Sequence, residues 1–259
     1  MTDSRTLSKP RSNRFFSINR LANPKIFFQF TTKLQPWING FALLFIVIGI
    51  IWGLFISPAD WQQGDSVRIM YIHVPMAMLA SAGYILLAFC GFSSLVWKHP
   101  LADLAAKEIG PVGAIVTALC LITGSIWGKP MWGTWWVWDA RLTSVLILFF
   151  LYLGHITLCH AFDEPQKGYK AASILVLAGV FDLPIIKFSV QWWNTLHQPN
   201  TFSLTHASSI TLSIATPLIF CSLGFSLGFI GILFTRIRTA ILENQIHRLL
   251  INSQSLSMQ

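Results

Sequence analysis

Between Trp132 and Asp139 the chain reads WGTWWVWD, placing four indoles within seven residues and following them with a carboxylate. Written as a helix, Trp132, Trp135, Trp136 and Asp139 fall at i, i+3, i+4 and i+7 and share one face. Helical geometry therefore predicts a flat aromatic surface that ends in an acid. Single interfacial tryptophans commonly anchor membrane helices, but four in one short stretch exceed what anchoring needs. Such a surface suits a large planar ligand that is mostly apolar and carries polar handles. Imidazole is a frequent metal ligand, and three histidines stand in distinctive segments: His73 in YIHVP, His197 in WWNTLHQP and His206 in SLTHASS. Each also has a bland reading: His73 as a hydrogen-bonding residue near a helix start, His197 as a polar loop residue, and His206 as a helix-end residue, favoured over its role as an alternative ligand.

These residues have to be held by something, and composition says what. Of 259 residues, 54% are hydrophobic and 11% are charged, against about 25% charged in an ordinary soluble domain. The apolar residues cluster into stretches about as long as the roughly 20 residues that cross a hydrocarbon core as a helix. This predicts an all-α polytopic membrane protein. The net charge of +8 then bears on sidedness, and no nucleic-acid partner is expected. Cys90, Cys120, Cys159 and Cys221 lie in apolar stretches without a CxxC pair, so they are expected to act as small buried hydrophobes.

Six spans are predicted, at about 37–56, 69–97, 109–127, 142–160, 171–188 and 206–234. Residues 1–36 form a basic arm with a short interfacial helix near Ile26 to Phe30, and residues 235–259 form a basic, weakly amphipathic tail. Polar hairpins are expected at 98–108 and around Asp163 to Lys170, and loops at 128–141 and 189–205. The first apolar run has no cleavage site after it and is expected to remain as a span. In span five, Asp182 and Pro184 stand at membrane depth, where an acid faces the bundle interior and a proline kinks the helix.

An even span count puts both termini on one side. That side then holds fourteen of the eighteen Lys and Arg residues, and the other holds Arg68, Lys129, Arg141 and Lys187. Basic residues collect on the cytoplasmic side, so both termini should be cytoplasmic. The tryptophan segment, His73, His197 and His206 then face outward, with eight of the eleven tryptophans. Haem fits this set of residues: indoles pack on the macrocycle, imidazoles can ligate the iron, and propionates seek cations. Arg68, Lys129 and Arg141 are the candidate propionate contacts. Asp139 would repel a propionate, so it is expected to fix an indole, pair with Arg141 or order the loop.

WGTWWVWDARLTS resembles the tryptophan-rich signature of the membrane haem-handling proteins of cytochrome c maturation. With YIHVP before span two and WWNTLHQP after span five, essentially the whole chain resembles the haem exporter protein C family, CcmC. The resemblance implies that His73 and His197 are axial ligands of a transiently bound, non-covalent haem b, and that Trp132, Trp135, Trp136, Trp138 and Asp139 form the haem-binding loop. It implies a bacterial inner-membrane location with the site facing the periplasm, and presentation of haem to the chaperone CcmE for covalent attachment. It further implies the ATP-binding subunit CcmA, the membrane subunit CcmB and the small membrane protein CcmD as partners. The chain has no GxxxxGK[ST] loop and no CxxCH, so an ATPase would be another chain and a covalent c-type haem is not expected.

Other classes stay open on the residues alone. A transporter subunit moving haem or another hydrophobic substrate would need an inner-facing site, for which His155 and His160 are the candidates. A cofactor-free scaffold would splay its tryptophans into lipid. An electron-transfer haem protein would hold its histidines within facing helices.

Overall fold

The computed structural model describes residues 23–193 and 211–257. Six helices in it are long and apolar enough to cross a membrane. They comprise α1 (Pro24–Ile51), α2 (Met70–Trp97), α3 (Pro100–Trp132), α4 (Ala140–His160), the pair α5 (Pro165–Gly179) and α6 (Asp182–Trp192), and α7 (Leu212–Ser257). A π-helical turn, Trp52–Ile56, extends α1, and a 3-10 turn, Asp65–Ile69, leads into α2. The six-span, all-α reading of the sequence holds.

Local chemistry sets the ends of these elements, and several differ from the sequence expectation. Polar residues 98–108 were expected to form a hairpin, but the turn is only Lys98 and His99. Lys98 takes the left-handed conformation at φ 49°, His99 accepts from the Leu101 amide at 3.3 Å, and Pro100 opens α3. Proline suits a helix's first turn, where its missing N–H would find no partner anyway. The polar residues of that first stretch face other helices: Asp103 accepts from the Ser94 hydroxyl, and Glu108 pairs with Arg236 at 2.8 Å.

At the other end of α1, the expected interfacial helix near Ile26 is simply its first turn, capped by the Asn23 side chain on the Lys25 amide at 2.9 Å. The fifth span breaks between Gly179 and Asp182, which puts Pro184 in the first turn of α6. The kink expected at Pro184 is thus an interruption just before it. The 46 residues of α7 extend about 69 Å, more than twice the roughly 30 Å hydrocarbon core. The segment beyond 234 continues the helix as far as Ser257.

Lipid cannot drive helices together by excluding apolar surface, so close packing and interhelical hydrogen bonds must. Tyr84 and Tyr152 meet edge to face at 5.2 Å, and both are fully buried. Their hydroxyls donate across helices, Tyr84 to the Val176 carbonyl at 3.1 Å and Tyr152 to the Ala80 carbonyl at 2.9 Å. Gly113 and Gly83 make room for the Tyr152 ring. The α1–α7 seam uses the same device, with Gly224 against Ile46 and Gly231 against Asn39. There Gln35 Nε2 donates to the Gly231 carbonyl at 2.8 Å. All four cysteines are free and buried, as expected of small hydrophobes.

Candidate functional site at one end of the bundle

The alternation of helices brings the α1–α2 connection, the α3–α4 connection and the C-terminal end of α6 to one end of the bundle. His73 lies in the first turn and a half of α2, half-buried against α3. One face of α3, at positions 120, 123, 124 and 127, receives it. Nδ1 of His73 lies 3.1 Å from the Cys120 carbonyl and 3.1 Å from Thr123 Oγ1. A carbonyl only accepts, so the proton sits on Nδ1. Any bond from this imidazole to a metal must then go through Nε2. Gly124 lies flush beneath the ring, where an added Cβ would stand 3.0 Å from Cε1. Trp127 closes the face with an edge-on contact at 5.5 Å, and its Nε1 donates to Gln63 Oε1 at 3.0 Å.

From Gly133 the tryptophan segment is a loop, later than the 128 expected for its start, so the shared face that an unbroken helix would give does not form. Helix α3 ends at Trp132 because Gly133 takes φ 75°, a left-handed C-cap that glycine adopts without strain. Residues 133–139 are irregular, and Asp139 then caps α4, its Oδ1 accepting from the Leu142 amide at 2.8 Å. The i, i+3, i+4, i+7 spacing therefore does not align Trp132, Trp135, Trp136 and Asp139 on one helix face. Instead Trp136 and Trp138 meet edge to face at 5.5 Å, and Lys129 Nζ stands 5.9 Å over the Trp135 ring while donating to the Gly133 carbonyl at 3.0 Å. Trp135 and Trp138 are 57% and 76% exposed, so this aromatic surface is open at the bundle end. Trp136 is different: its Nε1 is buried without an acceptor among the described residues. Of the three expected roles for Asp139, ordering the loop matches its cap.

The candidate propionate cations also have structural partners. Arg68 Nε pairs with Asp65 at 3.1 Å, and Nη1 donates to the Gly53 carbonyl at 3.1 Å and to the Leu54 carbonyl. These are carbonyls at the end of α1, where helical partners run out. Arg141 Nε donates to Ser189 Oγ at 3.3 Å, which joins α4 to α6. His197 and His206 fall outside the described residues, as does most of the 189–205 loop. Among the described residues no three His, Cys, Asp or Glu side chains converge to hold a metal ion.

At the opposite end of the bundle, a cavity of about 430 Å³ lies between α3, α4 and α7, lined by Lys107, Glu108, His160 and Arg236 among others. His155 is buried, with Nε2 3.0 Å from the Ala106 carbonyl, and His160 Nδ1 bonds to its own helix at the Ile156 carbonyl at 2.9 Å. His155 is thus an interhelical tie that does not line this cavity.

Residues that sequence reasoning missed are Cys120, Thr123, Gly124 and Gln63. ITGSIW gives helical spacing, but nothing in it says which face meets His73.

Comparison with known proteins bears on what this site belongs to. Residues 17–252 match the family described as CcmC, heme exporter protein C. Heme exporter protein C of Bradyrhizobium diazoefficiens is 45% identical, over 88% of this chain and 87% of its own length. The protein of that name from Escherichia coli is 46% identical, over 87% of this chain and 91% of its own. The one from Paracoccus denitrificans is 38% identical, over 90% and 97%. With a family match over residues 17–252 and relatives of 38–46% identity covering most of both chains, this chain belongs to the CcmC family, the heme exporter protein C family.

Proposed function

We propose that this protein binds haem b, transiently and without a covalent bond, at the periplasmic face of the bacterial inner membrane. It presents that haem to the chaperone CcmE for covalent attachment. The observation that carries the reading is the seat of His73, an imidazole fixed through Nδ1 at the bundle end where the tryptophan segment lies exposed. The residues fit the group. With Nδ1 carrying the proton, Nε2 of His73 is the nitrogen that would ligate iron, Trp135 and Trp138 offer open apolar rings, and the Trp136 N–H is a buried donor that lacks an acceptor among the described residues.

In this reading His73 and His197 would hold the haem iron, and Trp132, Trp135, Trp136 and Trp138 would pack on the porphyrin. Asp139 holds the loop in shape through its cap on α4. Arg68, Lys129 and Arg141 supply positive potential for the propionates, each from a position already fixed by a protein partner. Bound haem supplies a reactive vinyl group. The protein contributes orientation, leaving that edge exposed toward the chaperone's histidine, which turns a chance encounter into a positioned one. With cytoplasmic termini, the reading takes the ATP-binding subunit CcmA, the membrane subunit CcmB and the small membrane protein CcmD as partners.

A transporter subunit that moves haem or another hydrophobic substrate across the membrane is the second reading. The inner-end cavity with Lys107, His160 and Arg236 is the observation in its favour. Glu108 already neutralises Arg236 there, and so the outer site is the stronger candidate.

The test is an absorption spectrum of the purified protein supplied with haem, repeated for His73→Ala, His197→Ala and a His206→Ala control. A low-spin spectrum lost in the first two and kept in the control is expected. Four indistinguishable spectra, or none with haem, would sink the two-histidine site.

A further inference from the structure

The geometry around His73 points to Thr123 as a positioning residue for haem ligation: with the Cys120 carbonyl it holds the Nδ1 proton of His73 and directs Nε2 to the iron. The inference rests on the haem reading above and adds to it a residue that never touches the ligand.

Thr123 Oγ1 donates to the Leu119 carbonyl at 2.7 Å. With its own proton committed there, its oxygen presents lone pairs to His73, 3.1 Å away. The Cys120 carbonyl accepts from the same Nδ1–H at 3.1 Å. Two acceptors on one N–H fix both the tautomer and the ring plane, and they push electron density toward Nε2, which makes it a stronger donor to a metal. The acceptors come from one turn of α3, and at its next residue, Gly124, an added Cβ would press on the ring at 3.0 Å from Cε1. The Trp127 edge blocks rotation on the other side. Position 123 therefore needs a hydroxyl, while position 124 needs the absence of a side chain.

The experiment uses the full chain in detergent, titrated with haemin and followed by its Soret band and by redox potentiometry. Thr123→Val keeps the shape and removes the acceptor, whereas Thr123→Ser keeps the acceptor. Thr123→Val should weaken haemin binding about tenfold, the low end for losing a partner of a metal-bound histidine, because the Cys120 carbonyl remains. It should also make the haem potential more positive, since a weaker donor stabilises the ferric state less. Thr123→Ser should restore both.

Unchanged affinity and potential in Thr123→Val, with the ligand lost in His73→Ala, would overturn the positioning role and leave the haem reading standing. An unaltered His73→Ala would overturn both. Should Thr123→Val not fold, His73→Gly supplied with free imidazole or 1-methylimidazole decides. Only imidazole carries an N–H for the α3 acceptors, so it should restore the low-spin band at lower concentration. Equal restoration by the two would overturn the proposal.

Discussion

Trp127 Nε1 donates to Gln63 Oε1 at 3.0 Å while the same indole meets His73 edge-on at 5.5 Å. One side chain on α3 thus ties down the connection before α2 and walls the imidazole that opens α2. Trp127→Phe keeps an aromatic edge and removes the donor. A hydrogen bond of this kind contributes about 1 kcal/mol net, so a stability loss near that size is expected, with haemin binding weakened no more than about fivefold. Trp127→Ala removes the wall as well and should weaken binding further. Thermal unfolding and haemin titration of both variants check it, and equal effects from Phe and Ala would show that the ring itself contributes nothing.

Asp139 gives a second prediction because its cap and its charge can be separated. Its Oδ1 accepts from the Leu142 amide at 2.8 Å, and the residue is buried. Asparagine caps about as well as aspartate, and alanine costs about 1 kcal/mol at such a position. Asp139→Asn should match the parent protein in thermal stability and haem retention, and Asp139→Ala should lose about 1 kcal/mol and retain less haem. A defect in Asp139→Asn as large as that in Asp139→Ala would mean that the charge itself matters.

What could be read in the sequence and what could not divide along a physical line. Hydropathy reports the solvent around a segment, so it found six spans in order and the side that each loop shares. It does not report helicity, which is why α3 reaches back to Pro100 through Asp103 and Glu108, residues whose polarity is spent on Ser94 and Arg236. Water does not end a helix either, and α7 runs on past Phe234. The tryptophan segment was legible as a loop, and its periodicity describes a face that only an unbroken helix would present. Gly133 and Asp139 are the stop and start signals that divide it. The aromatic density, His73 and the cations Arg68, Lys129 and Arg141 were legible as residues with chemistry. The face of α3 that receives His73 was not, since interhelical register is set by packing from both partners.

Glycine positions test that packing directly. An alanine Cβ at Gly113 would run into the Tyr152 ring, one at Gly124 would press on His73 Cε1 at 3.0 Å, and one at Gly40 meets nothing within 4 Å. Overpacking a close core contact costs about 1–3 kcal/mol, while an unhindered helical glycine gains about 0.5–1 kcal/mol on becoming alanine. Gly113→Ala should therefore destabilise the bundle, and Gly40→Ala should be neutral or stabilising. Gly124→Ala should act mainly on haemin affinity by displacing the imidazole. Melting temperatures and titrations of the three separate helix packing from site geometry.

The orientation of the whole arrangement carries the last prediction. By span count, fourteen of the eighteen Lys and Arg residues are expected on the side of the termini, and basic residues near span ends favour the cytoplasm. Gln62, in the α1–α2 connection, and Asp163, between α4 and α5, are both exposed and lie at opposite ends of the bundle. The four native cysteines are buried, which keeps the background low for thiol labelling. In intact spheroplasts a membrane-impermeant maleimide should label Gln62→Cys and leave Asp163→Cys unlabelled until the membrane is permeabilised. The reverse pattern would turn His73 and the tryptophan segment toward the cytoplasm. A site facing that way could take haem from its place of synthesis but could not meet a periplasmic chaperone, so the presentation mechanism would fail and transport would become the leading account.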